Sequence, residues 1–328
     1  MINILERIVD ELKLGTLTMN PEQITGGLTH RIFKIITNKG KYIIKLLNPN
    51  IMKRSSAIEN FNMADKLEET LKKNNISAIY SLIFNNKKMQ SVDGQYFYIY
   101  EWFDGKVLNN NKITKFHCEL IGEVLANIHN IDLQNDKFEK KEIHIDWDKY
   151  LKLSEENNSI VYDLLKDKIE LLKDIMNKGN IAIKKIPNVK AICHNNMDSK
   201  NVMWLNDKFK IIDLECLGYN NPYLELFELA LCWSGYDTCN INFGLFNSFL
   251  KSYFKNSKLN TSIDWENLYY SNYGRLEWLE FNIKRSLMIE CDTKEEQELG
   301  LTEVKATLEL IVYYDKVKNN ILDNIKKV

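Results

Sequence analysis

Ile192-Cys193-His194-Asn195-Asn196-Met197-Asp198-Ser199-Lys200-Asn201, followed by Lys210-Ile211-Ile212-Asp213-Leu214-Glu215, is the stretch on which the reading of this chain turns. Residues 191–193, 202–205 and 209–214 read as short apolar strands, and the polar residues 194–201 form a loop held between them.

The chain has 328 residues, beyond the size at which one hydrophobic core usually stops growing, so two lobes are expected. With 45% apolar residues a large core can be built. A formal net charge of −1, with both signs interspersed, gives no basis for a nucleic-acid or anionic-membrane partner. No apolar run approaches the roughly 20 residues that span a bilayer. Residues 1–14 mix Glu6, Arg7, Asp10, Glu11 and Lys13 into apolar positions, which suits an amphipathic helix and not a signal peptide, so a cytoplasmic location is expected. The six cysteines are scattered without a C-x-x-C pair, which argues for reduced core thiols and against zinc or a disulfide framework.

Residues 23–36 and 41–47 alternate around the turn Thr37-Asn38-Lys39-Gly40 and predict a β-hairpin. Phe61, Ala64, Leu67 and Leu71 give residues 55–74 helical periodicity. Residues 79–84 and 95–102 read as further strands, with Ser91-Val92-Asp93-Gly94 as a turn before the second. Phe103-Asp104-Gly105 interrupts the strand pattern, and helices are then expected over 114–129, 147–153, 159–178, 223–234, 243–254, 265–290 and 301–318. The expected architecture is α+β: a small antiparallel-sheet lobe over residues 1–102, and a larger, mainly helical lobe over 103–328 that carries the loop.

Several segments, taken in order, resemble the motifs of the aminoglycoside phosphotransferase and choline kinase superfamily, small-molecule kinases with a bilobal, protein-kinase-like fold. They are Thr25-Gly26-Gly27-Leu28-Thr29-His30, Lys45 among Ile43, Ile44, Leu46 and Leu47, Glu101-Trp102-Phe103-Asp104-Gly105, the loop with His194, Asn196 and Asn201, and Ile212-Asp213-Leu214-Glu215. The resemblance implies an ATP- and Mg2+-dependent transfer of phosphate, from ATP or another nucleoside triphosphate, to a hydroxyl of a small molecule. By it, Gly26 and Gly27 lie over the phosphates, Lys45 pairs with them, and the Glu101 carbonyl and Phe103 amide read the adenine edge. Asn201 and Asp213 hold the metal, and His194 anchors the loop. The family's lysine partner, a helix glutamate, has three candidates in Glu59, Glu68 and Glu69, while Glu225 stands where an aspartate usually braces the loop.

One position departs from the pattern. Relatives place the base aspartate at residue 196, and this chain has an amide, which cannot accept a proton at neutral pH. Three readings stand: a substitution that keeps substrates from turning over, natural loss of the base in a nucleotide-binding pseudokinase, or catalysis that tolerates the amide. Asp198 is a weaker candidate for a replacement base, because the family's residue there shapes the loop. Retention of Lys45, Asn201 and Asp213 favours the kinase. A protein-serine kinase is disfavoured, since no activation segment ending in Ala-Pro-Glu follows Asp213. For the acceptor, Glu277, Glu280 and Trp278 suit a cation, whereas Arg275, Lys284 and Arg285 on the same helix count against one. The oligomeric state is not legible.

Overall fold

The computed structural model describes residues 2–24, 30–135, 139–260, 263–291 and 293–328. Two compact units make up the chain, Met1–Leu108 with His194–Gly218, and Asn109–Cys193 with Tyr219–Val328. The architecture is α+β, with an antiparallel sheet in the N-terminal region and helices in the C-terminal region.

The first unit opens with the helix Ile2–Glu11, where Leu5, Ile8 and Val9 are buried at helical spacing and Glu6, Arg7 and Asp10 stay in water. Five strands follow: β1 (Glu22–Ile24), β2 (Arg31–Thr37), β3 (Gly40–Leu46), β4 (Gln90–Val92) and β5 (Gln95–Glu101). They pair antiparallel in the order β1-β2-β3-β5-β4. The β2–β3 hairpin closes at Thr37 opposite Gly40, as its sequence predicts, and Thr37 Oγ1 donates to Leu14 O at 2.7 Å. Phe33 and Ile35 of β2 join Ile44, Leu46, Phe97 and Ile99 in a core with the first helix, while the alternate residues of β2 point away.

The helix Ala57–Lys73 lies within the expected 55–74. Residues 79–84 form no continuous strand and make only single bridges, Ser81 to Tyr100 and Phe84 to Lys87. The Ser81 N–H donates to the buried Glu68 carboxylate at 2.6 Å, so it is spent on a side chain and not on a ladder.

The loop segment, expected with the helices, packs in the first unit. Val202–Leu205 and Lys208–Ile211 form a hairpin whose first strand also pairs with Lys106–Val107. Ile79 N–H donates to Ile211 O at 2.8 Å, and Ile211 N–H to Ser77 O at 2.9 Å, which ties this hairpin to the chain leaving Ala57–Lys73.

The second unit is helical. Lys115–Ile131 packs closely on Phe243–Asn256, with Gly122 at the contact, where a Cβ would lie 2.5 Å from Phe249 O. Trp147, Leu165, Leu172, Leu276, Ile283, Val304 and Leu308 share a second core. The long helix expected over 159–178 is two, Val161–Leu165 and Ile169–Ile183. Leu165 and Ile169 are both buried across the break, so the apolar spacing runs through it and periodicity did not reveal it. The helix expected over 265–290 likewise divides into Trp265–Ser271 and Gly274–Ser286. At the break Tyr273 turns inward and donates its hydroxyl to Lys141 O at 2.8 Å. The last expected helix is longer and starts earlier, Lys294–Lys316, because Thr293 Oγ1 accepts from Glu296 N–H at 3.2 Å and caps it.

All six cysteines are free; Cys118, Cys193, Cys232 and Cys291 are buried, but Cys216, at the end of a short 3-10 helix, and Cys239, in a turn, are exposed and are not core thiols. Among the described residues no helix is long and apolar enough to cross a membrane. Alanine ordinarily stabilises a helix relative to glycine. At Gly122 we expect the reverse: Gly122→Ala costs about 1–3 kcal/mol by overpacking and lowers the melting temperature, whereas an unchanged or raised value would refute the close contact.

Candidate active site

Lys45 lies on β3 opposite Ile32 and Tyr98, and its residue exposure is only 7%. An ammonium so placed needs negative charge beside it. Lys45 Nζ pairs with Asp213 Oδ1 and, at 2.5 Å, with Glu215 Oε2. Burial pulls the lysine towards neutrality, but the two carboxylates override this and hold it above its usual value. Burial also pushes Glu215 upward, yet Lys45 and His30 leave it lowered to about 2. Glu215 Oε1 meets His30 Nε2 at 3.1 Å, and His30 Nδ1 accepts from the Asn48 N–H at 3.0 Å.

None of the three helix glutamates takes the lysine. Glu68 accepts from Ser81 and faces Lys88 at 3.4 Å, Glu69 pairs with Lys88 at 2.8 Å, and Glu59 is exposed. Burial raises the Glu68 carboxyl, with Lys88 and Ser81 opposing. The partner is Glu215, which the motif contained without a role attached. His30 lies one residue before β2, whose Ile32 is opposite Lys45; the sequence reading gave it no part in holding the lysine.

The loop is built by local bonds. Asp198 accepts from Lys200 N–H at 2.8 Å through its side chain and from Asn201 N–H at 3.0 Å through its carbonyl, making the turn Ser199–Asn201. Asp198 thus shapes the loop. Asn201 Nδ2 donates to Asn196 O at 2.8 Å, which leaves Oδ1 as the end of the amide that the loop does not use. Ile212 N–H donates to Asn201 O at 2.9 Å and continues the hairpin register by one pair, so Asn201 and Asp213 leave its open end together. Asp213 adopts φ 67°, a left-handed conformation uncommon outside glycine, asparagine and aspartate. His194 is fully buried, and its Nε2 meets Ile212 O at 3.0 Å, which anchors the loop beside Asp213. Its Nδ1 is buried and finds no partner among the described residues. Asn196 is exposed.

Glu101 ends β5 opposite Tyr42, and the ladder closes with Trp102 N–H donating to Lys41 O at 3.1 Å. Phe103 is half-buried, and its ring lies against the position a Gly105 Cβ would occupy. Gly26 and Gly27 lie outside the described residues.

In the second unit, Glu225 Oε2 meets His129 Nε2 at 2.8 Å, His129 Nδ1 meets Tyr253 Oη at 2.6 Å, and Cys193 Sγ lies 3.7 Å from His129 Nε2. These ligand types lie close enough to hold a metal ion. The bonds already join them into a buried chain, and burial raises the Cys193 thiol well above its usual value, so it stays protonated. Elsewhere in that unit, Glu280 accepts from Tyr150 Oη at 2.6 Å and pairs with Lys284 at 3.2 Å, while Arg275 pairs with Asp237 at 2.8 Å. The charge of Glu280 is therefore answered within the protein, which weakens the argument for a cationic acceptor.

Lys45→Met strands two carboxylates, one of them buried, and is expected to cost about 3–5 kcal/mol in denaturant unfolding, with part recovered by adding Glu215→Gln; equal stability of wild type and Lys45→Met would contradict the pairing. Because the folded Glu215 value is depressed, its stabilisation is complete above its ordinary value of 4.5 and is lost as the pH falls towards about 2. Glu215→Gln should therefore show a shallower loss of stability with acid than wild type, and parallel curves would count against the shift.

The profile of the phosphotransferase enzyme family matches residues 21–250. No curated protein sequence matches significantly. Among solved structures, spectinomycin phosphotransferase, in complex with ADP and spectinomycin, superposes with a TM-score of 0.68 at 14% identity, covering 94% of this chain and 98% of that one. Amicoumacin kinase, in complex with AMP-PNP, Ca2+ and its substrate, gives 0.59 at 13% identity, covering 92% of each chain. A choline/ethanolamine kinase family protein from Mesorhizobium loti gives 0.59 at 16% identity, covering 95% of this chain and 99% of that one. These likenesses show a kinase-like fold, and with the profile match over more than half its length the chain belongs to the phosphotransferase enzyme family.

Proposed function

We propose that this chain transfers the terminal phosphoryl group of ATP to a hydroxyl of a small molecule, and that Asn196 makes the transfer slow. The observation that carries the reading is the buried Lys45 facing Asp213 and Glu215. Such a cluster is costly as a purely structural device, and it suits a place where phosphate oxygens and a cation exchange partners with it. Nucleotides in the spectinomycin and amicoumacin kinase structures agree with this.

The donor set fits magnesium: the Asp213 carboxylate and the Asn201 amide oxygen are hard ligands at one hairpin end, and the Asn201 amide is oriented by its bond to Asn196 O. Magnesium bound there would neutralise phosphate charge as the bond to the leaving ADP breaks. Lys45 would pair with phosphate oxygens, while the Glu101 carbonyl and Phe103 amide would meet the adenine. The acceptor oxygen bonds to phosphorus, ADP departs with the electron pair of the broken bond, and the hydroxyl proton passes to solvent water. Asn196 can hydrogen-bond that hydroxyl but cannot take its proton. Since phosphoryl transfer rests mostly on positioning and charge stabilisation, the loss is one of rate and not of binding.

The test is phosphoryl transfer from MgATP to a panel of hydroxylated amines, sugars and antibiotics, by wild type and Asn196→Asp. A positioned base is worth about 10²–10⁴-fold, so the aspartate variant should gain by that order on at least one acceptor. Binding of ATP with no gain on any acceptor would replace this reading with a nucleotide-binding pseudokinase.

A further inference from the structure

We propose that His30 is a positioning residue for the phosphate-pairing lysine, acting through Glu215; this rests on the nucleotide reading of the site. In the resemblance, a helix glutamate steadies the lysine. Here Glu68 and Glu69 are engaged with Ser81 and Lys88, and the second acidic residue of the Asp213-Leu214-Glu215 segment takes their place.

A carboxylate that holds an ammonium by one oxygen is free to rotate unless its other oxygen is fixed. His30 fixes it. The Asn48 N–H donates to His30 Nδ1, so in the neutral ring the proton resides on Nε2, which faces Glu215 Oε1 at 3.1 Å. Side-chain exposures of 7% for His30, 8% for Glu215 and 9% for Lys45 exclude bulk water from the relay. The chain of contacts runs from the backbone at Asn48, through His30 and Glu215, to the Lys45 ammonium. Its consequence is that the carboxylate orienting Lys45 comes from the segment that carries Asp213 and not from a glutamate of the helix Ala57–Lys73, which contributes packing, its Phe61 ring lying 6.5 Å from that of His30.

This arrangement separates phosphate binding from base binding. His30→Leu fills the space without a donor, and His30→Gln restores one. Calorimetric titration of the full chain with ATP and with adenosine, both with Mg2+, reads the difference. Loss of one hydrogen bond to a charged group should weaken ATP about tenfold in His30→Leu, leave adenosine unchanged, and be largely reversed in His30→Gln. Equal ATP affinity in wild type and His30→Leu would overturn the proposal. So would a parallel loss of ATP and adenosine binding, which marks a structural role only. Should His30→Leu fail to fold, the same comparison in His30→Ala decides. If wild type binds neither ligand, the nucleotide reading itself fails, an outcome distinct from these.

Discussion

A lysine ammonium that leaves water must be met by negative charge, and the first unit is organised around meeting that need at Lys45. The ammonium sits on a central strand of the sheet, and its two carboxylates come from residues 213 and 215, far away in sequence. Bringing them there requires the hairpin Val202–Leu205 with Lys208–Ile211 to dock on the chain at Ser77 and Ile79. The single charge cluster therefore ties together the sheet, the hairpin and the loop before it.

The same hairpin explains how a loop with an exposed tip at Asn195 and Asn196 keeps a defined shape. Asp198 turns the backbone, Asn201 closes back on Asn196 O, and His194 holds Ile212 O from within. The first two bonds are local in sequence, and the third ties the loop to the chain 18 residues on, just past the hairpin's second strand. Asn196 is exposed at the middle of this arrangement and contributes its carbonyl to it, a role that does not depend on the side chain being an amide or a carboxylate. An unchanged loop with an altered group at residue 196 is what the proposed function requires, since it separates the geometry of binding from the removal of a proton.

Much of this was legible in the sequence, for stated reasons. The hairpin through Thr37 to Gly40 follows from two apolar-rich segments flanking a two-residue turn, whereas Asn201 and Asp213 were singled out by the resemblance to the family's motifs, and the fold brings them to one hairpin end. What failed did so where a side chain overrode periodicity. Residues 79–84 look like a strand, but Glu68 captures the Ser81 N–H. Residues 159–178 look like one helix, but Leu165 and Ile169 stay buried across a turn that no glycine or proline marks. The partner of Lys45 was sought on the helix and found on the strand end, because spacing along the chain gives no hint of which glutamate a lysine meets across a fold. Glu215 was part of the motif from the start; only the three-dimensional register gave it a role.

The central claim is that Lys45, Asn201 and Asp213 form a site for a metal-bound nucleotide. Electron paramagnetic resonance of Mn2+, used in place of magnesium, tests it directly in the wild-type chain. The account predicts that Mn2+ becomes protein-bound when ATP is present, and that Asp213→Asn removes most of this binding while the fold persists. Mn2+ that stays free with ATP present, or binding unaffected by Asp213→Asn, would contradict it.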